Sequence, residues 1–295
     1  MKFTLDLGGS TIDLLYTKNN KKEFHSLESK LFNKNIKNFT EQKEIEKLEN
    51  ILESFNVFKI LMTSNSLNNK NILIITGGFS SNIQQNTKQI HTVTLKNQLF
   101  LIQIVSEFTA IGRGAHICSN KKSGIAVSMG TGTAMVYFNA EHHKYEHIKG
   151  TGLGGGTFIG LSTALLNISD FQEISNLALL GQKQNIDLSI GDIVRGSIPL
   201  LPASSTASNF AKYSKDTSHA DIALGISTMI AESITTLAIE KCLRYKQTHI
   251  IFGGKFSKLS ILQKHVKTTT KLFNITAIFP KNSEYMTVIG ASEII

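Results

Sequence analysis

"KFTLDLGGSTIDLLYT", residues 2–17, and "GIAVSMGTGTAMVYFN", residues 124–139, share one plan. Each alternates apolar and polar residues around a glycine-rich centre, which predicts strand, tight turn, strand. The first turn is Gly8-Gly9-Ser10-Thr11 and the second is Gly130-Thr131-Gly132-Thr133. Glycine reaches backbone conformations that turn successive N–H groups toward one anion, and it lets them approach closely. Thr11, Thr131 and Thr133 offer hydroxyl donors. Asp6 closes the first strand, where a carboxylate can hold Mg²⁺ through water. One such turn alone reads as well as an ordinary glycine hairpin. Two in equivalent places favour phosphate binding.

Outward from these hairpins the halves continue alike. Residues 40–55 place Ile45, Leu48, Ile51 and Leu52 at helical spacing. Residues 72–75 predict a buried strand ending in Gly77-Gly78, and residues 98–105 another, with a helix opening near Ser106. The charged turn at 119–123 divides the chain into domains 1–120 and 121–295. In the second half a helix is predicted from about Thr157. A long amphipathic helix spans 221–245, with Ile222, Ile226, Met229, Ile230, Ile234, Leu237 and Leu243 on one stripe. "THIIFGGKFSKLSILQKHV", residues 248–266, predicts strand, double glycine, helix, and "NITAIFP", residues 274–280, a late strand. Hairpin, helix, strand thus occurs twice, which implies two related α/β domains facing each other across a cleft.

Between the second hairpin and its helix lies "KGTGLGGGTFIGL", residues 149–161, with six glycines in thirteen residues. Gly150, Gly152 and Gly155 match the dinucleotide fingerprint, but the context disagrees. The preceding "HHKYEHIK", residues 142–149, is too polar for the buried first strand of a βαβ unit, and no acidic residue follows a second strand at about twenty residues. A nicotinamide or flavin enzyme is the poorer reading, and the P-loop pattern is absent from the chain. The loop is expected to present bare backbone and a helix N-terminus to phosphates.

The bulk numbers set bounds. A chain of 295 residues with 41% hydrophobic and 18% charged residues suits two folded domains. Lys plus Arg number 31 against 22 Asp plus Glu, a formal net charge of +9. Much of the excess lies between Lys18 and Lys47 and reads as a solvated basic face, which also steers anionic ligands. No nucleic-acid recognition motif accompanies it. Cys118 and Cys242 form no CxxC pair, so a structural zinc site is unsupported. Asp6 interrupts the first apolar run, which argues against a signal peptide, and no run of about 18 apolar residues stands out as a membrane span. The expectation is a cytoplasmic protein with reduced thiols, binding neither nucleic acid nor membrane.

Read together, "DLGGST", "TGGFS", "SEFTAIGRGA", "SMGTGTAMVYF", "GTGLGGGTFIGL", "TASNFA", "FGGKF" and the terminal "IGA" occur in the order seen in type II pantothenate kinases. The chain resembles that family over nearly its whole length, and the GGGTFIGL block beside GTGT is the most specific part. The resemblance implies a duplicated ribonuclease H-like (actin-like ATPase) fold with an interdomain nucleotide cleft. It implies transfer of the γ-phosphoryl of ATP, with Mg²⁺, to the primary hydroxyl of pantothenate. Glu107 matches the family's catalytic glutamate, a carboxylate that accepts the hydroxyl's proton; without the resemblance it reads as a glutamate favoured by a helix dipole. Asp6, Gly8, Gly9, Ser10 and Thr11, with Ile12 and Asp13 beside them, match the first phosphate loop, and Asp6 also the metal position. Gly130, Thr131 and Gly132 match the second loop. Gly154, Gly155, Gly156 and Thr157, continued by Phe158 and Ile159, match the loop over the nucleotide. Phe171 falls where the family has an aromatic near ATP, and Gly253 and Gly254 match the adenosine-side turn. Glu107, Thr133 and His147 match substrate-side positions.

Two departures stand out. The family usually has lysine where this chain has Asp13, and an aspartate cannot neutralise phosphate. It has arginine where this chain has His147, which lacks the bidentate fork. Other readings therefore stay open: a kinase for another small hydroxyl metabolite, or a nucleotide-gated member without phosphotransfer. An ATP-driven activator carrying an iron–sulfur cluster would have only Cys118 and Cys242 as ligands. The family is usually dimeric through a long helix, and residues 221–245 serve that role or the core of their own domain.

Overall fold

In the computed structural model, residues 1–18, 21–31, 39, 41–63, 71–78, 90–194 and 202–293 are described. The basic stretch from Lys18 to Lys47 lies partly outside these residues, as do Phe79 and Ser80 of the TGGFS motif.

Alternation along the first strands sets the layers. In β1 (Lys2–Leu7), Phe3, Leu5 and Leu7 are fully buried on one face, while Thr4 and Asp6 point to the other. β2 (Thr11–Lys18) sends Ile12, Leu14 and Tyr16 to the first face and Asp13 and Leu15 to the second. β3 (Lys21–Glu28) completes an antiparallel meander. Among the described residues β3 ends the sheet with β2 as its one neighbour, which matches its polar sequence. Parallel to β1 runs β4 (Asn71–Thr76), then β6 (Gln98–Ile104), edged by antiparallel β5 (Ile90–Leu95). Among the described residues this sheet has the order β3-β2-β1-β4-β6-β5. Helices α1 (Gln42–Ser54) and α2 (Val57–Thr63) bury Leu48, Ile51, Leu52, Val57, Phe58 and Leu61 against its first face.

After α3 (Glu107–Ser119) the plan repeats. β7 (Ser123–Met129), β8 (Thr133–Asn139) and β9 (Lys144–Thr151) form the second meander. The helical layer contains α4 (Gly155–Leu166), α5 (Phe171–Ala178) and, beyond the short β10 (Leu188–Ser189), α6 (Ile190–Val194), β11 (Thr206–Ser208) and α7 (His219–Arg244). β12 (His249–Gly253) then pairs parallel with β7, and β13 (Thr276–Ile278) with β12, linked by α8 (Ser260–Lys271). The second order, β13-β12-β7-β8-β9, superposes in topology on β6-β4-β1-β2-β3. Most of the polar segment at 142–149 lies in β9, which among the described residues pairs with β8 alone, at an exposed edge, and is no βαβ first strand.

The two sheets exchange helices. α3 follows the first sheet in the chain yet buries Ile111 and Ala115 against Ala126, Val136 and Phe138 of the second. α9 (Met286–Ser292) follows the second sheet yet buries Val288, Ile289 and Ala291 against Leu15 and Ile74 of the first. The chain-order division at 119–123 separates the sheets, and the helices on either side pack across it. α3 and α9 cross where both lack side chains. A Cβ on Gly114 would lie 1.9 Å from the Met286 carbonyl oxygen, and one on Gly290 1.9 Å from that of Ala110.

α7 corrects two expectations. Its burial runs almost round the helix, from Ile222 and Ala223 to Ile234, Ala238 and Cys242, while Leu243 of the expected stripe is exposed. By length and composition it could also cross a membrane, an 18-residue stretch of it having a mean hydropathy of 1.7, but 67% of that stretch is buried inside this fold. It lies in the core packed against the second sheet, which accounts for its apolar composition.

Candidate active site

The equivalent turns of the two meanders meet. Ser10 Oγ, between β1 and β2, lies 2.6 Å from Thr131 Oγ1, between β7 and β8. A Cβ on Gly9 would approach Thr131 Oγ1 to 2.7 Å, so glycine is required for the contact. Ser29 holds the first turn from behind, its Oγ donating to the Gly8 carbonyl at 2.7 Å and its N–H to Ser10 O at 2.9 Å.

The glycine block packs onto the second turn. Gly155 N–H donates to Gly130 O at 2.8 Å and Gly156 N–H to Thr131 O at 2.9 Å. A Cβ on Gly154 would stand 2.8 Å from the carbonyl oxygens of both Thr131 and Gly132. Two N–H groups of the first turn of α4 are therefore committed to protein carbonyls, which corrects the expectation that this helix N-terminus is held open for phosphate. Thr133 is corrected likewise: its hydroxyl is buried and donates to Leu153 O at 2.8 Å. Thr157 Oγ1 donates to Gly152 O at 2.9 Å. The hydroxyls and glycines of the block fix the wall of the cleft, while Thr131 stays exposed at its rim.

Acidic groups gather at the strand ends. Asp6 and Asp13 are direct cross-strand partners in the β1–β2 register. Gly77, at φ 100° after β4, would place a Cβ 2.4 Å from Asp6 Oδ1, and one on Gly78 would be 3.6 Å from Glu107 Oε2. The Gly77-Gly78 turn thus lies between the two carboxylates. Burial holds the Asp6 carboxyl well above the usual range, with further upward contributions from Asp13 and Glu107 and an opposing one from Lys255. Burial also raises the Glu107 carboxyl. Opposite Asp6 in the β1–β4 register, the Thr76 hydroxyl is buried and has no hydrogen-bond partner among the described residues.

A divalent cation fits this arrangement in one way. Among the described residues no three His, Cys, Asp or Glu side chains cluster closely enough to hold a metal by themselves. Mg²⁺ characteristically takes one or two carboxylates and completes its shell with substrate phosphates and water. Asp6, near the end of β1 and close to the first glycine turn, suits that role.

The other expected residues fall into place unevenly. Ile12 and Phe158 are fully buried core side chains, so only their backbone borders the cleft. Phe171 packs with Phe158 and Phe256, with ring centroids 5.4 and 6.4 Å away, and Ile159 lies half-buried against the same core. Gly254, at φ 84°, mirrors Gly77: a Cβ there would meet Met129 O at 2.3 Å. Gly253 is confined by Met286, whose Cε would be 2.4 Å from its Cβ. His147 is exposed and stacks on Phe108, the neighbour of Glu107, at 4.3 Å. The TASNFA motif clamps α7: Thr206 Oγ1 and Asn209 Nδ2 donate to Glu232. Each thiol sits in a different core cluster, Cys242 with α7 and Cys118 beside α9, and burial pushes both up to about 11, the reverse of what a cluster-ligating thiolate needs.

Two participants escaped the sequence. Lys255 Nζ lies 2.7 Å from Asp13 Oδ1, and Ser26 Oγ donates to the same oxygen at 2.5 Å. A lysine directly after the double glycine was the available signal.

Comparison with known proteins agrees with this geometry. The family model described as Fumble matches residues 2–293. A type II pantothenate kinase of Staphylococcus epidermidis is 31% identical over 238 residues, covering 76% of this chain and 84% of that protein. One from Bacillus anthracis is 31% identical over 228 residues, covering 74% and 79%. Among solved structures, the activator of the 2-hydroxyisocaproyl-CoA dehydratase of Clostridium difficile, with bound ADPNP, aligns at a TM-score of 0.59 and 14% identity over 99% of this chain and 92% of that one. Component A of the (R)-2-hydroxyglutaryl-CoA dehydratase of Acidaminococcus fermentans aligns at 0.56 and 15%, over 99% and 95%. At those identities the likeness establishes the actin-like ATPase fold alone.

Proposed function

The chain belongs to the Fumble family, and from that membership we propose that its cleft transfers the γ-phosphoryl of ATP to the primary hydroxyl of pantothenate. The products are 4'-phosphopantothenate and ADP, at the entry to coenzyme A synthesis. The observation that carries the reading is the meeting of the two glycine turns at 2.6 Å, one from each sheet, with three carboxylates beside them.

Each residue then has a task. The backbone of Gly8–Ser10 and Gly130–Gly132 lines the phosphate path, and Ser10 and Thr131 offer hydroxyls at its rim. Asp6 holds Mg²⁺, which supplies charge neutralisation when bound with the nucleotide. The glycine block and the Gly253-Gly254 turn border the adenosine side. Glu107 accepts the proton of the attacking hydroxyl, and its burial-raised pKa brings it closer to the working pH of a base. Thr133 shapes the wall through Leu153, and His147 borders the acceptor through its stack on Phe108. The reading includes a cytoplasmic setting and involves neither nucleic acid nor membrane. It also includes a homodimer, for which exposed Leu179 and Leu180, beside the start of α7, offer apolar surface; light scattering at twice the 32.5 kDa chain mass is the expected result.

The test is ADP formation in a coupled assay. Pantothenate is expected to stimulate it in the presence of Mg²⁺, and no stimulation by a protein that still binds ATP would defeat the proposal. His147 favours a second acceptor in the same assay, because a stacked imidazole presents no guanidinium fork. Faster turnover of another small hydroxyl compound would establish that reading.

A further inference from the structure

Asp6 and Asp13 face each other directly across antiparallel β1 and β2, on the side turned toward the second sheet. Like charges in that position repel. Asp13 is only 6% exposed, and a carboxylate buried without a partner is costly. Its partner comes from the other lobe. Among the described residues, Lys255 is the cation that forms an ion pair with this acidic group, at 2.7 Å from Asp13 Oδ1. Lys255 opens the short 3₁₀ turn Lys255–Lys258, directly after Gly254. Gly254 is at φ 84° with no room for a Cβ against Met129, so the turn is seated on the end of β7 and the lysine is aimed across the cleft.

The pair is not sealed. The lysine side chain is 36% exposed, against 9% for the aspartate. A compact ammonium on a flexible stem can change partners without any movement of the backbone. Carboxylate and phosphate oxygens compete for the same donor, and a phosphate chain carries more charge. A divalent cation arriving with that chain would relieve the Asp6–Asp13 repulsion at the same moment, which frees the ammonium.

We propose that Lys255 is the residue of this cleft that recognises the nucleotide's phosphate chain, reaching it from the second lobe, and that Asp13 holds the lysine in position until the nucleotide arrives. This deepens the kinase reading and rests on it. Lys255 is a binding residue in this scheme and Asp13 a positioning residue.

The experiment measures binding rather than turnover. AMP-PNP with Mg²⁺, and adenosine separately, are titrated calorimetrically into the wild type, Lys255→Met and Asp13→Asn. Lys255→Met is expected to lose roughly tenfold or more in AMP-PNP affinity, the scale of one charge-assisted contact, while adenosine changes by less than about twofold. Its AMP-PNP binding also becomes less sensitive to salt. Asp13→Asn keeps AMP-PNP affinity within about twofold or tightens it, because the lysine is released rather than removed. Unchanged AMP-PNP affinity in Lys255→Met overturns the proposal. So does an equal loss in both variants, which marks the pair as a strut between the lobes. If Lys255→Met fails to fold, the double variant Asp13→Asn/Lys255→Met removes both charges and carries the same comparison. A wild type that binds neither ligand brings down the nucleotide reading itself, a result distinct from the others.

Discussion

Glu107 and Asp6 carry raised pKa values for the same first reason, burial, yet their consequences differ. For Glu107 the consequence is kinetic. A general base must be ionised, so turnover is expected to fall as pH drops through its raised pKa, an acidic limb above the ordinary glutamate value of about 4.3. Glu107→Gln should lower kcat by roughly 10²- to 10⁴-fold and leave ATP-analogue affinity nearly intact. Loss of both together would make it a structural residue. For Asp6 the consequence is thermodynamic. A carboxyl whose folded pKa is raised holds its proton longer in the native state, so stability falls as pH rises from the unfolded value, about 3.9, through the folded one. Above that window the ionised form strains the fold. Asp6→Asn is therefore expected to raise the melting temperature near neutral pH, with the gain vanishing below about pH 4. A lower melting temperature near neutral pH would show that the carboxylate is compensated by more than Lys255.

At the scale of elements, the glycines divide into those that carry contacts and those that do not. Gly114→Ala or Gly290→Ala puts a methyl 1.9 Å from a carbonyl oxygen at the α3–α9 crossing. Each is expected to cost about 2 kcal/mol or more, since neither backbone can yield without separating the lobes. Gly152→Ala meets nothing within 4 Å and should stay within about 0.5 kcal/mol in denaturant unfolding. Equal effects at all three sites would contradict this account of the crossing. The same elements show what the sequence made legible. The hairpin turns were readable because strand alternation and paired glycines are local signals. β3 and β9 were missed because edge strands need no apolar face, and their polar residues imitate loops. The glycine block reads in the sequence as bare backbone facing phosphates, but two of its N–H groups, those of Gly155 and Gly156, are spent on Gly130 and Thr131, a pairing that only the fold reveals. The pairing of Lys255 is not legible for the plainest reason: its partner is 242 residues away in the chain.

The whole molecule is one plan used twice, joined by two exchanged helices. α3, which opens at Glu107, packs on both sheets, with Ile111 and Ala115 on the second and Ala110 beside Ile74 and Val105 of the first, while Asp6 belongs to β1 of the first sheet. The Ser10–Thr131 contact lies at the seam between the two sheets. Asp13 and Lys255 span the same seam, so charge on the incoming phosphates and the angle between the lobes act on one set of groups. The most direct measurement is the fate of the acceptor. After incubation of the protein with Mg²⁺, ATP and pantothenate, phosphorus NMR and mass spectrometry are expected to show one new phosphomonoester on pantothenate, formed in step with ADP and absent with Glu107→Gln. Pantothenate recovered unchanged, from a protein that demonstrably binds the nucleotide, would contradict the account.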